Sequence, residues 1–305
     1  MVDNSMISEE ELFQVVGPGW KTYEVQKRKR TFREKLKGKP IFSMILLLIV
    51  VLGCVFANLV ANHDPSGFYL RNLNTPPGRE FIFGTDSLGR DIYSLIWYGG
   101  RVSLVIGISG AAIITVIGVT YGCISGTAGP KVDSVLMRFT EMCGSIPPLL
   151  MILILSAVFQ ADDVIGISVI IGITGWFALA RIVRSEVRQI RNSDYVMYAR
   201  LCGGGFGYVM YYHLIPNFVS AIMFVVISSV SSCITMESTL SFLGLGLPAD
   251  VVSWGSMLSL ANKALIMNTW WVIVIPGVFL VVTLMCITNV GSFVRSEVNN
   301  KYSNL

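Results

Sequence analysis

Long apolar runs separated by short polar stretches dominate this 305-residue chain. Spanning the hydrocarbon core of a bilayer takes a helix of about 20 mostly apolar residues. Six runs reach or approach that length: Ile41 to Ala61, Val102 to Gly126, Ile146 to Phe159, Val164 to Ala180, Phe218 to Met236 and Trp270 to Phe293. None has Asp, Glu, Lys or Arg in its interior. The third is the shortest, and Pro147-Pro148 at its start predicts entry through an irregular turn. The fourth is expected to continue as a helix into water through Arg181, Arg184 and Arg188. The pattern predicts an all-α, polytopic membrane protein with six transmembrane helices.

The polar intervals have structure of their own. In the loop after the first run, Leu88, Ile92, Leu95 and Ile96 fall at helical spacing. That predicts an amphipathic helix on the outer face, capped by Asp86 or Ser87 and stopped by Gly99-Gly100. Between the fourth and fifth runs, Asp194 can cap a short helix over Tyr195 to Cys202. Gly203, Gly204 and Gly205 break it cheaply, because glycine accepts dihedrals that other residues avoid. A second helix over Phe206 to Leu214 then presents Phe206, Val209 and Met210 on one side and ends at Pro216. After the fifth run, residues 236 to 258 are apolar but broken by glycine and proline. Irregular backbone at membrane depth persists where protein buries it or water reaches it, so this stretch is expected to be an outer hairpin at a passage. Within the second run, Gly118, Gly122 and Gly126 are spaced by four, a pattern that lets another helix approach closely.

Charge sets the orientation. The outer loops hold only Arg71, Arg79, Arg90, Arg101 and Lys263, and the rest of the 23 Lys and Arg fall on the other side. The positive-inside rule then places both termini in the cytoplasm, with Trp270-Trp271 at the outer interface. The first apolar run begins too far along the chain for a signal peptide and is expected to remain as an anchor. The basic run "KRKRTFREKLKGK" near the N-terminus suits anionic lipid rather than nucleic acid. Composition agrees, with 53% hydrophobic and 14% charged residues against about 25% charged in soluble domains. The six cysteines lack CxxC spacing and read as free thiols.

Enzyme chemistry finds no support. There is no GxxxxGK[ST] phosphate loop, so the chain is not expected to hydrolyse ATP itself. "GISG" around Ser109 mimics an intramembrane serine nucleophile, but neither His63 nor His213, the only histidines, is placed to serve as its base. Two separated histidines offer no metal site. Ion-coupled carriers usually show ionisable residues inside their spans. Here Glu237, at the outer end of the fifth run, comes nearest.

The stretch "YVMYARLCGGGFGYVMYYHLIPN", residues 195–217, resembles the EAA loop of binding-protein-dependent ABC importer permeases. Ala199, Arg200, Gly203, His213, Pro216 and Asn217 sit where that motif places them, while Met197 and Tyr198 replace its usual Glu and Ala. "FGTDSLGRDIYSLIWYGGRVSL" (83–104) and "LSFLGLGLPADVVSWGSML" (240–258) resemble further signatures of the dipeptide/oligopeptide/nickel subgroup. The likeness runs from about residue 81 to 293.

That resemblance implies a type I importer permease, half of a translocation pathway for di- or oligopeptides. It implies pairing with a homologous permease subunit, two cytoplasmic ATPases and an extracytoplasmic substrate-binding protein. No cofactor is expected in this chain, ATP and Mg belonging to the partners, and no nucleic acid. The implied parts are a cytoplasmic tail (1–40), a first transmembrane helix (41–62), an extracytoplasmic loop (63–101), a five-helix core (102–293) with coupling helices at 194–217, and a C-terminal tail (294–305). Asp194, Tyr195, Ala199, Arg200, Gly203, Gly204, Gly205, Phe206, His213 and Pro216 are expected to couple to an ATPase. Thr85, Asp86, Gly89, Arg90, Asp91, Glu237, Ser241, Phe242, Gly244, Gly246, Trp254 and Gly255 are expected to face the binding protein or gate. A nickel or metal-chelate cargo, or an ion-coupled secondary transporter, are the alternative readings.

Overall fold

The computed structural model describes residues 40–302 apart from 192 and 249, with the backbone alone at 200, 206, 213, 216, 217, 220 and 298–302. The basic N-terminal run and the last three residues lie outside that set. Among the described residues the regular structure is helical, save one isolated antiparallel bridge between Thr85 and Asp91.

Helix α1 (Ile41–Val55) breaks at Phe56 and resumes as α2 (Ala57–Val60). After an irregular loop, α3 runs unbroken from Ile92 to Thr127. Next come α4 (Pro130–Gly144) and α5 (Pro148–Phe159), each with proline in its first turn, where a missing N–H costs nothing. Gln160, at φ 49°, ends α5 in the left-handed region. Asp163 caps α6 (Val164–Gly175) by accepting from the Gly166 N–H, and α7 (Phe177–Ile190) follows at once. Then come α8 (Asp194–Leu201), α9 (Phe206–Val209), a π-turn (Met210–Leu214), α10 (Ile215–Phe242), α11 (Trp254–Leu258), α12 (Ala261–Ile266) and α13 (Trp271–Tyr302).

Three stretches are long and apolar enough to cross a bilayer: α3, Ala221–Phe242 of α10 and Trp271–Glu297 of α13. The count becomes five if each bent pair is one span, α4 with α5 at 86° and α6 with α7 at 46°. At 15 residues α1 is shorter. The expected count of six is thus not reached by length and apolarity alone.

Helix α3 is the axis of the packing. α6, α7 and α10 lie along it, while α1 and α11 meet its N-terminal half. One buried cluster joins α3, α6, α7 and α10 through Ile114, Ile171, Leu179, Val183 and Phe218. Another joins α1, α3, α11 and α13 through Cys54, Ile96, Trp254 and Val272. Glycines permit the closest approaches. A methyl carbon at Gly118 would stand 3.0 Å from Leu179. At Gly122 it would stand 2.7 Å from both the Ala180 carbonyl and Val183, and at Gly126 2.7 Å from Val187. Gly172 and Gly175 of α6 present the same kind of surface to Ile113 and Ile114 of α3.

Several expected boundaries are corrected. No helix starts at Asp86 or Ser87, because the Asp86 carboxylate is used in a turn. It accepts from the Leu88 and Arg90 N–H groups and from the Arg90 side chain, with Gly84 and Gly89 at φ 76°. Asp91 caps α3 instead, accepting from the Ser94 N–H at 3.0 Å. Leu95 and Ile96 are buried rather than lying on an outer face. Gly99-Gly100 does not stop the helix: a side chain at Gly100 would stand 2.5 Å from Cys54 and Trp254, so small size, not helix breaking, is what that position needs. The helix expected to end at Pro216 instead continues, since proline is accepted in the first turn of α10. The π-turn just before it takes up the register, with the Ile215 N–H reaching the Met210 carbonyl. α10 also passes Met236 and ends at Phe242, which puts the first third of the expected hairpin inside a helix.

Gly122→Leu is expected to destabilise the protein by about 1–3 kcal/mol through overpacking. Gly129→Ala, where nothing lies within 4 Å of the added carbon, is expected to be close to neutral. Thermal unfolding of both variants in detergent checks the contrast.

Candidate functional site: an exposed elbow and two polar anchors

The segment 194–214 forms a compact elbow. Val196 of α8 and Val209 of α9 are buried in the same cluster as Val187 of α7. The glycine trio closes α8 with a Schellman turn: Gly203 takes φ 86°, and the Gly204 N–H reaches back to the Ala199 carbonyl at 2.9 Å. A side chain at Gly204 would stand 2.6 Å from that carbonyl, whereas Gly203 and Gly205 face open space.

The exposed face of the elbow is aromatic and apolar. Tyr195, Met197, Tyr198 and Leu201 point outward from α8, and Tyr208, Tyr211 and Tyr212 from the next turns. The rings of Tyr208 and Tyr212 stand 4.9 Å apart. This differs from the expected face, because Val209 is buried and Met210 half-buried. Ala199 is half-buried, and Asp194 opens α8 in its first turn. The side chains of Arg200, Phe206, His213, Pro216 and Asn217 fall outside the described set.

Beneath the elbow lies an anchor that the sequence reading missed. Asp133, buried in the first turn of α4, receives both the Nε and Nη2 groups of Arg184. Arg188 Nη2 adds a contact at 2.9 Å, and the Ser125 hydroxyl of α3 donates at 2.7 Å. Arg191 donates to the carbonyls of Gly126 and Ala128 at 2.9 and 3.1 Å, serving acceptors that the end of α3 leaves open. Of the three arginines expected to run into water, Arg184 and Arg188 therefore bind Asp133 of α4, while Arg181 is exposed. The spacing of the anchoring arginines was the available signal, since 184, 188 and 191 share one helical face.

A second anchor sits at the other end of α10. Glu237 is fully buried, and both of its oxygens accept from hydroxyls. Ser253 and Ser241 donate to Oε1 at 2.6 and 2.9 Å, and Ser103 and Ser238 approach Oε2 at 3.2 and 3.4 Å. Ser103 also accepts from the Trp254 N–H, and Trp254 Nε1 donates to the Ile96 carbonyl at 2.9 Å. Ser253 and Ser256 form a reciprocal capping box that starts α11. Gly255 lies so close to Ser238 that a side chain would meet its Cα at 2.5 Å, and Gly246 stands similarly against Ser241. Glu237 falls within the candidate span Ala221–Phe242, because α10 continues past Met236.

Most residues expected to face the binding protein or gate are buried within the chain. Thr85, Asp86, Gly89, Asp91, Glu237, Ser241, Trp254 and Gly255 are buried, and Arg90 is half-buried on Asp86. Thr85 pairs with the Asn72 carbonyl, and its own carbonyl accepts from Trp271 Nε1. Of the group, Phe242 and Gly244 are exposed. Ser109 donates to the Val105 carbonyl of its own helix. Among the described residues no group of three His, Cys, Asp or Glu could hold a metal.

Residues 118–294 match the family described as "Binding-protein-dependent transport system inner membrane component". The chain belongs to this family. It is a multi-pass protein of the cell membrane and a transport component, the ATP-hydrolysing activity lying in separate subunits. The oligopeptide transport system permease protein OppC of Bacillus subtilis (strain 168) is 34% identical over 85% of this chain and 84% of its own length. The dipeptide transport system permease protein DppC of the same organism is 33% identical over 90% of this chain and 84% of its own. OppC of Haemophilus influenzae is 33% identical over 90% and 87%.

Asp133→Ala is expected to cost about 3 kcal/mol, because it strands Arg184 and the Ser125 hydroxyl in partly buried positions. Asp133→Ala with Arg184→Leu is expected to cost less than the sum of the single changes, which a double-mutant cycle on detergent-solubilised protein measures. Glu237→Gln keeps an acceptor for the serines and is expected to unfold at a higher temperature than Glu237→Ala, by several degrees for a difference of about 1–2 kcal/mol.

Proposed function

We propose that the chain is the permease subunit of an ATP-driven importer of peptides. The carrying observation is its membership of the transport family together with relatives named as oligopeptide and dipeptide transport permeases. In this reading it pairs with a homologous permease subunit. Two cytoplasmic ATPases dock below, and a substrate-binding protein delivers cargo from outside.

The proposed topology has six spans and cytoplasmic termini, supported by the lysine and arginine distribution. α1–α2, α3, α5, α6–α7, α10 and α13 cross the membrane, and α4 lies at the cytoplasmic face. The elbow then projects toward the ATPases with its tyrosines outward. Asp194, Tyr195, Ala199, Arg200, Gly203, Gly204, Gly205, Phe206, His213 and Pro216 take part in coupling, with Tyr198, Tyr208 and Tyr211 added by their exposure. The outer region around residues 84–98 and 241–254 supports the gate and receives the binding protein, with Phe242 and Gly244 at its surface.

The mechanism follows from how the parts are joined. ATP binding draws the two ATPases together and moves the elbow. Val196 and Val209 key that motion into α7, and the π-turn passes it into α10 without a break. At 28 residues, α10 is a lever of about 42 Å. Its far end is tied through Glu237 to α3 and α11, so displacement at the cytoplasmic end reaches the outer gate. Moving the equilibrium between inward-open and outward-open from 1:99 to 99:1 takes about 5.5 kcal/mol of differential binding.

Gly203→Val, in the complex reconstituted with its partners, is expected to lower peptide uptake per ATP hydrolysed by about fivefold or more. A β-branched residue at φ 86° opens the Schellman turn at a cost of about 1–2 kcal/mol. The chain is still expected to reach the membrane, because no neighbour obstructs the new side chain. Normal uptake with normal ATPase stimulation contradicts the coupling assignment. Peptide accumulation by the chain alone, driven by an ion gradient, contradicts the importer reading itself.

A further inference from the structure

Four arginines follow one another along α7 and its last turn, and three are committed. Arg184 and Arg188 hold Asp133, and Arg191 holds the carbonyls that end α3. Arg181 makes no hydrogen bond or ion pair among the described residues. It is exposed, and it lines a cleft of about 340 Å³ between α3, α5, the α6–α7 bend and α10. Much of the wall is apolar, including Ile146, Met151 and Met236. The polar side comes from α10, where Ser228 and Ser232 stand one turn apart and carry no hydrogen bond among the described residues. Thr174 and Ser229 also border the cleft, but each spends its hydroxyl on a carbonyl of its own helix.

An ionisable side chain in a membrane-spanning bundle that has no partner marks a functional site. Here the unpaired guanidinium opens onto the same space as two unpaired hydroxyls. A cleft of this volume lies at the lower end of the range for small-ligand pockets, and an apolar wall with a few convergent polar groups discriminates little among side chains. A guanidinium, in contrast, offers a planar pair of donors suited to a carboxylate. Every free peptide has one such group at its C-terminus, whatever its sequence.

We propose that this cleft is a transit subsite for cargo, in which Arg181 takes the C-terminal carboxylate of a peptide and Ser228 and Ser232 face its backbone. The inference rests on the peptide-importer reading above. It places the carboxylate end of the peptide toward the cytoplasmic end of the cleft, where α7 leaves the membrane.

The test uses the complete complex in proteoliposomes, with binding protein outside and ATP inside. Uptake of one peptide is measured with a free C-terminal carboxylate and with a C-terminal amide, in the natural protein and in Arg181→Gln and Arg181→Lys. The same binding protein serves every arm, so its own preference cancels when acid-to-amide ratios are compared. The ratio is expected to fall about tenfold in Arg181→Gln, the loss of one charge-assisted pair, and to recover substantially in Arg181→Lys. An unchanged ratio overturns the proposal, including the case in which both peptides slow equally. That is the result if Arg181 binds an anionic lipid headgroup, pairs with a neighbouring subunit or only supports the fold. If the natural complex moves neither peptide, the peptide-importer reading fails and this inference with it.

Discussion

Two helices in a bilayer gain little by hiding apolar surface from each other, because the lipid they displace is equally apolar. Contact between α3 and α7 therefore depends on how closely their backbones approach. Gly118, Gly122 and Gly126 remove the side chains that would hold them apart, and Leu179, Val183 and Val187 fill the groove that results. The rest of the bundle is referred to this seam, since α6 and α10 pack on the same central helix. The seam also brings the arginines of α7 within reach of Ser125 and the end of α3.

Polar anchors then fix what close packing alone leaves free to slide. A buried carboxylate is costly unless it is paired or well hydrogen-bonded. The chain answers that cost differently at its two ends. Asp133 is neutralised by arginines at the partly wet end of α7, where guanidinium groups keep some access to water. Among the described residues Glu237 is hydrogen-bonded by neutral hydroxyls, which come from α3, α10 and the start of α11. Each cluster joins elements far apart in sequence, so each sets the relative position of several helices at once.

Between these anchors the chain offers a mechanically simple arrangement. An exposed aromatic elbow is keyed into α7 and continuous with α10, and the opposite end of α10 is bound to α3 and the start of α11. Little in that train depends on the chemistry of a cargo, which suits a transport component served by a separate binding protein. Arg181 is the exception, because it alone among its neighbours keeps its charge uncommitted over a cleft.

Membrane residence, helical class, the glycine seam, the short α8 and the family of the chain were all legible in order of residues, because each is written in local composition, period-four spacing or a contiguous motif. Helix ends were less so. Gly99-Gly100 looked like a stop and Pro216 like an end, yet glycine inside a helix is kept when a neighbour presses close, and proline is kept when it falls in a first turn. Only tertiary structure could show that Asp86 is consumed by its own turn, that Trp254 and Glu237 are interior, and that arginines 184, 188 and 191 are anchors while 181 makes no ion pair among the described residues. Those outcomes depend on which side chains from remote segments arrive at one place, and the free energy of burying or pairing a group is a property of that place rather than of the residue.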